Sequence, residues 1–341
     1  MIDSALVSVV VPVFNTGSLV IDFIKSIIAQ TYTKWELLLI DDGSDESTLN
    51  YIESIKKMDS RIFLFKRDRQ PKGSLTCRNI GMLHSKGQYI IHFDADDLVE
   101  PFCLEQRVLF MEENPSLEYA VFKGASFYSD GDSKIHIINH RWGRKRHQDD
   151  IISFLSNDYP FSIWNCIYRS SVFKDLLWDE NVKIYTDFSY ILPILMTGYK
   201  YDYSIDSRED YLYRVNQKNA MTSSFISEEK YKSTLYLFNK TQELILSSPQ
   251  RNVHKKAFKK YYIIQLERIL NTKNNDFFVD FKFFYEKFYG KELRMMILTF
   301  VNEAIIKKMN LRNRKIVRFF IAFLYNPLLF KKWIISLNKH A

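Results

Sequence analysis

A short apolar run that ends in three carboxylates constrains this chain more than any other feature. The run covers residues 89–93, is broken only by His92, and leads into Asp94, Asp96 and Asp97. Such a run predicts a buried strand. An open α/β sheet has its ligand crevice at the carboxyl ends of the strands, so we expect these carboxylates to line it. Unpaired, their charges would repel each other, and a divalent cation that prefers oxygen ligands would offset that cost.

Strand-like and helix-like segments alternate over the first 125 residues. Strands are predicted at 8–13, 36–40, 61–66 and 89–93, and helices at 19–30, 49–58 and 77–84. Alternation of this kind implies right-handed crossovers and a mainly parallel sheet with helices on both faces. The predicted fold class is therefore α/β, with Asp41 and Asp94 on the same rim of the sheet.

The chain divides by composition near residue 225. Residues 126–225 show short strands and loops, and residues 226–341 are mostly helical in pattern and basic. Residues 231–341 hold 22 Lys and Arg against 7 Asp and Glu, whereas residues 1–230 hold 26 against 33. The net charge of +8 therefore hides two parts with opposite charge. We expect the two parts to have different surroundings.

Several protein classes are disfavoured by what the sequence lacks. The three cysteines have no paired spacing, which favours a reducing compartment over a disulfide framework. We find no signal peptide and no run of about 18 apolar residues. The motifs of dinucleotide-binding and P-loop enzymes are absent, no His or Cys cluster has zinc spacing, and His92 is interpreted as a satisfied core histidine. A basic patch alone is non-specific and leaves the acidic rim unexplained, so no nucleic-acid partner is expected.

Six short motifs in the first 97 residues resemble one family when taken together. They are VVPVFN at 10–15, QTY at 30–32, LIDDGS at 39–44, RNIG at 78–81, KGQYI at 86–90 and FDADD at 93–97. In order and spacing they resemble the family 2 glycosyltransferases, which have the GT-A fold. The resemblance is close over residues 7–125 and looser to about 225. It implies a catalytic domain at 1–225, with nucleotide-sugar binding at 1–125 and the acceptor side at 126–225, followed by a helical basic region at 226–341.

The resemblance implies transfer of a sugar from a nucleotide sugar, usually a UDP-sugar, to an acceptor hydroxyl. The pyrophosphate leaving group gains negative charge, which Mg²⁺ or Mn²⁺ held by carboxylates can neutralise. Asp96 is the first choice of metal ligand. Asp94 would contact the ribose or the donor sugar, or join the metal shell. Asp97 is interpreted as a cap of the following helix, with a functional role as the alternative.

The same resemblance implies a set of donor-binding residues. Asp41 would accept hydrogen bonds from the base or the ribose. Phe14 would line the nucleotide slot, or else pack in the core. Arg78 would bind a phosphate, or pair with Asp41 or Asp94. The full predicted set is Pro12, Phe14, Asn15, Asp41, Arg78, Asp94 and Ala95.

An inverting displacement needs a base on the acceptor side. The family supplies one from an acidic pair that follows a segment like WNCIYR at 164–169, which puts Trp164 on the acceptor side. Here the pair is Thr186-Asp187, with Thr186 where Glu is common. We assign the base to Asp187, which would also suit the N-cap of a helix at 188–196. The alternatives for the base are Asp179, Glu180 and Asp202.

Further sequence features concern partners and location. Arg214, near the family-like residues 221–223, would approach the diphosphate or form a strand-edge salt bridge. Residues 300–341 combine basic clusters with short apolar segments, which suits peripheral contact with the inner face of the cell membrane. The alternative is a helical subdomain that packs on the catalytic domain or a second subunit, and the oligomeric state stays open. The acceptor would be a saccharide or a lipid-linked glycan in surface polysaccharide or glycolipid synthesis, and the location cytoplasmic. A degenerate, non-catalytic relative that binds a nucleotide sugar or a partner is the second functional hypothesis.

Overall fold

The computed structural model describes residues 5–57, 59–129, 135–146, 148–174, 176–215, 227–272 and 275–290. Contacts divide the chain into two units. One comprises Met1–Asp150 with Tyr159–Phe225, and the other Ile151–Asp158 with Ile226–Ala341. The predicted membrane-contacting segment at 300–341 and residues 221–223 lie outside the described residues.

Strands and helices alternate through the first unit. The strands are β1 (Val7–Val13), β2 (Trp35–Asp41), β3 (Ile62–Lys66), β4 (Tyr89–His92), β5 (Leu98–Val99), β6 (Tyr119–Val121), β7 (Gly124–Ser129), β8 (Ile135–Trp142), β9 (Cys166–Arg169), β10 (Tyr201–Tyr203) and β11 (Tyr211–Arg214). The helices that begin in this unit are α1 (Leu19–Ile28), α2 (Glu46–Lys56), α3 (Ser74–His84), α4 (Cys103–Glu113), α5 (Asp150–Leu155) and α6 (Thr186–Thr197).

Seven strands form the main sheet, in the order β10-β6-β9-β4-β1-β2-β3. All neighbouring pairs are parallel except those of β9, which runs antiparallel to β4 and to β6. Strands β1, β2 and β4 are almost wholly buried, as expected for apolar runs covered on both faces. The predicted mainly parallel α/β sheet is confirmed.

Helix α3 lies close against the main sheet because Gly81 has no side chain. A Cβ atom at this position would lie 2.4 Å from Val10 Cγ1 on β1 and 2.8 Å from Ile40 Cδ1 on β2. Such distances are far below van der Waals contact, so a larger residue would push the helix off the sheet. The glycine of the RNIG motif therefore sets how closely α3 approaches β1 and β2.

Four strands form a second sheet, in the order β5-β11-β7-β8. Strand β11 pairs in parallel with β7 and antiparallel with β5. The sheet has a small apolar core of Ala125, Phe127 and Leu212. Since β5 begins at Leu98, directly after the acidic motif, this sheet holds β11 beside that motif.

A fully buried ion pair connects α4 to the residue before β11. Arg107 donates from Nη2 to Asp210 Oδ1 at 2.6 Å and from Nε to Asp210 Oδ2 at 2.8 Å. Its Nη1 also donates to the carbonyl oxygen of Trp164 at 3.0 Å. Both charged side chains are inaccessible to solvent. One guanidinium therefore links α4, β11 and the turn that carries Trp164.

Three helices make up the described part of the second unit beyond residue 226. They are α7 (Glu228–Ser247), α8 (Arg251–Thr272) and α9 (Asn275–Tyr289). Ser227 caps α7 by accepting from Lys230 N at 3.2 Å. The ring of Phe238 lies between 4.7 and 5.6 Å from those of Tyr262 and Phe281, so aromatic packing joins the three helices. Within the described ranges, none of the helices has the length and apolar character needed to cross a bilayer.

The buried pair of Arg107 and Asp210 generates a stability prediction. Replacing Arg107 with Met leaves Asp210 buried and unpaired, so the free energy of unfolding should fall by about 3–5 kcal/mol. Urea denaturation followed by circular dichroism measures this change. The matched control is Lys145→Met, because Lys145 pairs with Asp202 at the surface and should cost less than about 1 kcal/mol. Equal losses in the two variants would contradict the role given to the buried pair.

Candidate active site

Three strands of the main sheet end at one rim and bring the predicted carboxylates there. Val13 on β1 is level with Asp41 on β2, and Val10 on β1 is level with His92 on β4. The ladder continues beyond the strands, because Asp42 N donates to Val13 O at 2.9 Å. Asp41, Asp42 and Asp94 therefore follow neighbouring strand ends, as the alternating sequence pattern predicts.

Two neighbouring carboxylates at the end of β2 have different partners. Asp42 accepts from Arg67 Nε at 2.5 Å and from Gly73 N at 3.2 Å. Asp41 Oδ1 accepts from Ser44 N at 2.8 Å. Asp41 thus receives a backbone hydrogen bond, whereas Asp42 is neutralised by an arginine.

Arg78 pairs with Asp94 and not with Asp41. Its Nη2 donates to Asp94 Oδ1 at 2.6 Å, and its Nη1 to Phe93 O at 3.3 Å. The Arg78 side chain is 5% exposed and that of Asp94 is 37% exposed. A buried guanidinium therefore holds an accessible carboxylate at the rim, as the ion-pair alternative predicts, and phosphate binding by Arg78 stays a prediction.

Asp97 is not a helix cap, and that prediction is wrong. Helix α4 begins after Phe102 with no side-chain cap. The carboxylate of Asp97 instead accepts from Tyr211 OH and from Arg214 N, both at 2.6 Å. Burial raises the pKa of Asp97, and the charges of Asp96 and Asp94 raise it further. Asp97 fastens the acidic motif to β11.

Asp96 lies in the same turn and is half-buried. Its carbonyl oxygen accepts from Arg214 Nε at 2.7 Å, and Arg214 Nη2 lies 4.0 Å from Asp22 Oδ2. Arg214 therefore supports the turn and approaches a carboxylate on α1, as the salt-bridge alternative predicts. Ala95, between the two acidic residues, is buried.

Phe14 projects from the end of β1 and is 46% exposed, so the core-packing alternative is wrong. The Lys72 ammonium lies 3.7 Å from the centre of its ring. Asn15 has a φ of 50°, and its Oδ1 accepts from Asp45 N at 2.8 Å. Pro12 is half-buried within β1, level with Ile40. The loop after β1 thus presents an open aromatic ring beside the carboxylate rim.

Asp187 occupies the second position of α6 and is not its N-cap, which is Tyr185. Its Oδ2 accepts a hydrogen bond from Ser162 Oγ. Burial and the charge of Asp94 raise the pKa of Asp187 to about 6, although the charge of Arg78 and a backbone hydrogen bond from Ile163 lower it. The structure therefore brings Asp187, from the start of α6, into the electrostatic field of the carboxylate rim.

Trp164 is buried and lies in the turn that also carries Ser162. Its indole stacks on Tyr211 with ring centres 4.5 Å apart and on Tyr213 at 6.2 Å. Because Tyr211 binds Asp97 as well, the turn containing Trp164 is joined to the acidic motif through one tyrosine. Sequence reasoning missed Tyr211, which lies 114 residues from Asp97.

The alternatives to Asp187 are engaged elsewhere. Glu180 accepts from Arg69 at 2.6 Å and from Asn79 at 2.8 Å. Asp202 pairs with Lys145 at 2.9 Å on an exposed surface. Asp179 accepts from the backbone and side chain of Asn181, both at 3.1 Å.

His92 is a core histidine without the partners that were expected. It is fully buried, with its ring 5.5 Å from that of Trp178 and 5.8 Å from that of Phe173. Neither ring nitrogen has a hydrogen-bond partner among the described residues. Burial lowers the pKa of His92 well below its usual value, and the charge of Arg78 lowers it further. The expectation of a satisfied histidine is therefore wrong.

A divalent metal would find two carboxylates at this rim. No group of three or more His, Cys, Asp or Glu residues that could hold a metal occurs in the described part of the chain. Mg²⁺ is commonly held by one or two carboxylates together with substrate phosphates. Asp94 and Asp96, which follow β4 and are both partly exposed, fit that donor set.

The mainly parallel sheet with carboxylates at the ends of β2 and β4 is the architecture of the GT-A fold. Residues 8–177 match the family model described as Glycosyl transferase family 2. The chain belongs to this family.

Named relatives agree with this assignment but are longer proteins. An uncharacterized glycosyltransferase of Rickettsia felis is 39% identical over 184 residues, which cover 52% of this chain and 28% of that protein. The minor teichoic acid biosynthesis protein GgaB of Bacillus subtilis is 25% identical over 252 residues, 72% of this chain and 27% of GgaB. The chain thus spans less than a third of the length of these relatives.

Solved structures support the fold. TarS of S. aureus, residues 1–349 in complex with UDP-GlcNAc, superposes with a TM-score of 0.65 and 15% identity. The match covers 89% of this chain and 88% of that one. At this level of identity the similarity shows the GT-A architecture.

The raised pKa of Asp187 generates a prediction about stability and pH. The folded protein holds this proton up to about pH 6, whereas the unfolded chain releases it near pH 4. The protonated Asp187 carboxyl therefore makes its full contribution to the free energy of unfolding below about pH 4. This contribution is lost as the pH rises to about 6. Denaturation of the wild type and of Asp187→Asn between pH 4 and 7 should show the wild type losing up to about 3 kcal/mol relative to the variant. A constant difference across this range would contradict the raised pKa.

Proposed function

We propose that this protein is an inverting glycosyltransferase that moves a sugar from a nucleotide sugar, in the first instance a UDP-sugar, to an acceptor hydroxyl. The observation that carries the proposal is the position of Asp187. It is a carboxylate with a pKa of about 6, on the acceptor-side segment, within the field of Asp94 on the donor-side rim. A general base works best when its pKa lies near the working pH.

The donor side would be built from the loops after β1, β2 and β4. The exposed ring of Phe14 offers a surface for the base, and Asp41 offers a buried carboxylate for base or ribose donors. Pro12, Asn15 and Ala95 would shape the slot with their backbone. Arg78 holds Asp94 toward the sugar or the diphosphate. These roles follow the family resemblance, and the exposure of Phe14 fits the role given to its ring.

The reaction would proceed as a single displacement. The carboxylate of Asp187 takes the proton of the acceptor hydroxyl while that oxygen bonds to the anomeric carbon of the donor. The bond from this carbon to the diphosphate oxygen breaks, and its electron pair leaves with the nucleoside diphosphate. Attack opposite the leaving group inverts the anomeric centre. Ser162 would orient Asp187, since its hydroxyl donates to Oδ2.

Asp96, together with Asp94, would hold Mg²⁺ or Mn²⁺ against the diphosphate of the donor. When bound, such an ion neutralises the charge that develops on the leaving group. Asp97 and Arg214 would keep the Asp96 turn in place through their hydrogen bonds.

The acceptor is proposed more broadly, as a saccharide or lipid-linked glycan of a cell surface. GgaB carries the description of a teichoic acid biosynthesis protein, and TarS was solved with UDP-GlcNAc. The description of GgaB supports a surface glycan as the product class, and the ligand in the TarS structure supports a UDP-sugar as the donor. A cytoplasmic location and membrane contact through residues 300–341 remain predictions from the sequence.

Two substitutions separate the proposed roles. Asp187→Asn should lower kcat for transfer about 10²–10⁴-fold because the base is lost. It should leave the thermal stabilisation by donor and Mn²⁺ intact, since that stabilisation follows donor affinity. Asp96→Asn should weaken the dependence of donor binding on Mn²⁺. Transfer assays and thermal shifts with UDP-, GDP- and dTDP-sugars measure both effects.

The matched control is Asp202→Asn, which removes an exposed carboxylate on the acceptor-side segment and should leave kcat unchanged. Full transfer by Asp187→Asn would refute the base assignment. Donor binding by the wild type without transfer or donor hydrolysis would favour the degenerate, non-catalytic alternative.

A further inference from the structure

Asn79 is the residue of the RNIG motif that the proposed mechanism leaves unused. Its side chain is 2% exposed and lies on α3, directly after Arg78. A buried amide needs partners for its oxygen and for its nitrogen. The partners that Asn79 finds lie about 100 residues away, on the acceptor-side segment before α6.

The amide of Asn79 binds both backbone groups of one distant residue. Trp178 N donates to Asn79 Oδ1 at 2.9 Å, and Asn79 Nδ2 donates to Trp178 O at 3.0 Å. The same Nδ2 donates to Glu180 Oε1 at 2.8 Å, and Arg69 Nη2 donates to that oxygen at 2.6 Å. The Asn79 side chain therefore binds the segment at 178–180 to α3. It pairs with the backbone N–H and C=O of Trp178, as a residue of a neighbouring strand would.

The fastened segment leads directly to the proposed base. The Trp178 ring stacks on Tyr190 of α6, with centres 3.8 Å apart and planes 7° apart. Tyr190 lies three residues after Asp187 on the same helix, so the two share one side of its first turns. The position of Trp178 therefore sets the position of the helix start that carries Asp187.

Two adjacent residues of α3 thus bind the carboxylate rim and the segment before α6. Arg78 binds Asp94 on the donor rim, and Asn79 binds the segment that leads to Asp187. We infer that Asn79 is a positioning residue that sets the separation between the base and the donor. The inference rests on the proposed function and adds a role for Asn79 within it.

The test uses Asn79→Asp in the whole 341-residue chain. The aspartate keeps the acceptor for Trp178 N but loses both donated bonds and faces the carboxylate of Glu180. We expect kcat for transfer to fall about 10–100-fold, because displacement of a catalytic group by about 1 Å has that effect. The donor KM should stay within about threefold. Hydrogen exchange should increase at 178–187 and stay unchanged in β1 and β2.

A charge swap and a matched control complete the experiment. Combining Asn79→Asp with Glu180→Gln restores a donor facing the carboxylate but not the bond to Trp178 O, so this double variant should recover part of the lost kcat. Thr76→Val removes another buried hydrogen bond of α3, the one to Pro71 O, and should leave kcat and exchange at 178–187 unchanged. Glu180→Leu cuts one of the three bonds without altering α3 and should raise exchange at 178–187 in the same way.

Unchanged hydrogen exchange at 178–187 in Asn79→Asp and Glu180→Leu would overturn the inference. A loss of kcat in Thr76→Val as large as that in Asn79→Asp would also overturn it. So would a failure of the double variant to recover kcat. Hydrogen exchange does not depend on turnover. A wild type that transfers no sugar would therefore refute the proposed function, while the exchange data would still decide whether Asn79 holds the segment.

Discussion

The candidate site depends on how the protein compensates several carboxylates that lie close together at one edge of a parallel sheet. Carboxylates this close repel each other, and each needs its own compensation. Asp42 is neutralised by Arg67, and Asp94 by the buried Arg78. Asp187 receives weaker compensation, and burial and the charge of Asp94 raise its pKa to about 6. The charge compensation of these carboxylates is therefore uneven, and it leaves Asp187 with a raised pKa.

Much of the fold and part of the site follow from local sequence. Apolar runs of strand length alternate with helical periods, which is enough to predict the parallel sheet and to place Asp41 and Asp94 on one rim. The exposure of Phe14 and the choice of Asp94 as the partner of Arg78 needed the structure, because both depend on packing between distant segments. Asp97 shows the limit most clearly. Its position before a helix favours a cap, but Tyr211, 114 residues away, binds it instead.

Side chains that no local sequence pattern identifies join distant segments of the candidate site. Tyr211 links the acidic motif to the Trp164 turn through a hydrogen bond and a stacked ring. Asn79 links α3 to the segment before Asp187. Both contacts join segments that are separate in the chain and that no single strand or helix connects. The site is therefore a product of tertiary hydrogen bonds as much as of the GT-A sheet.

The central claim is that Asp187 acts as the base of a single displacement at the anomeric carbon. The anomeric configuration of the product tests it most directly. The wild type is supplied with an α-linked UDP-sugar and an acceptor that it accepts, and the coupling constant of the new anomeric proton is measured by NMR. A single displacement with Asp187 as the base gives a β-linked product. An α-linked product would contradict it, because retention requires a different mechanism in which Asp187 would not have this role.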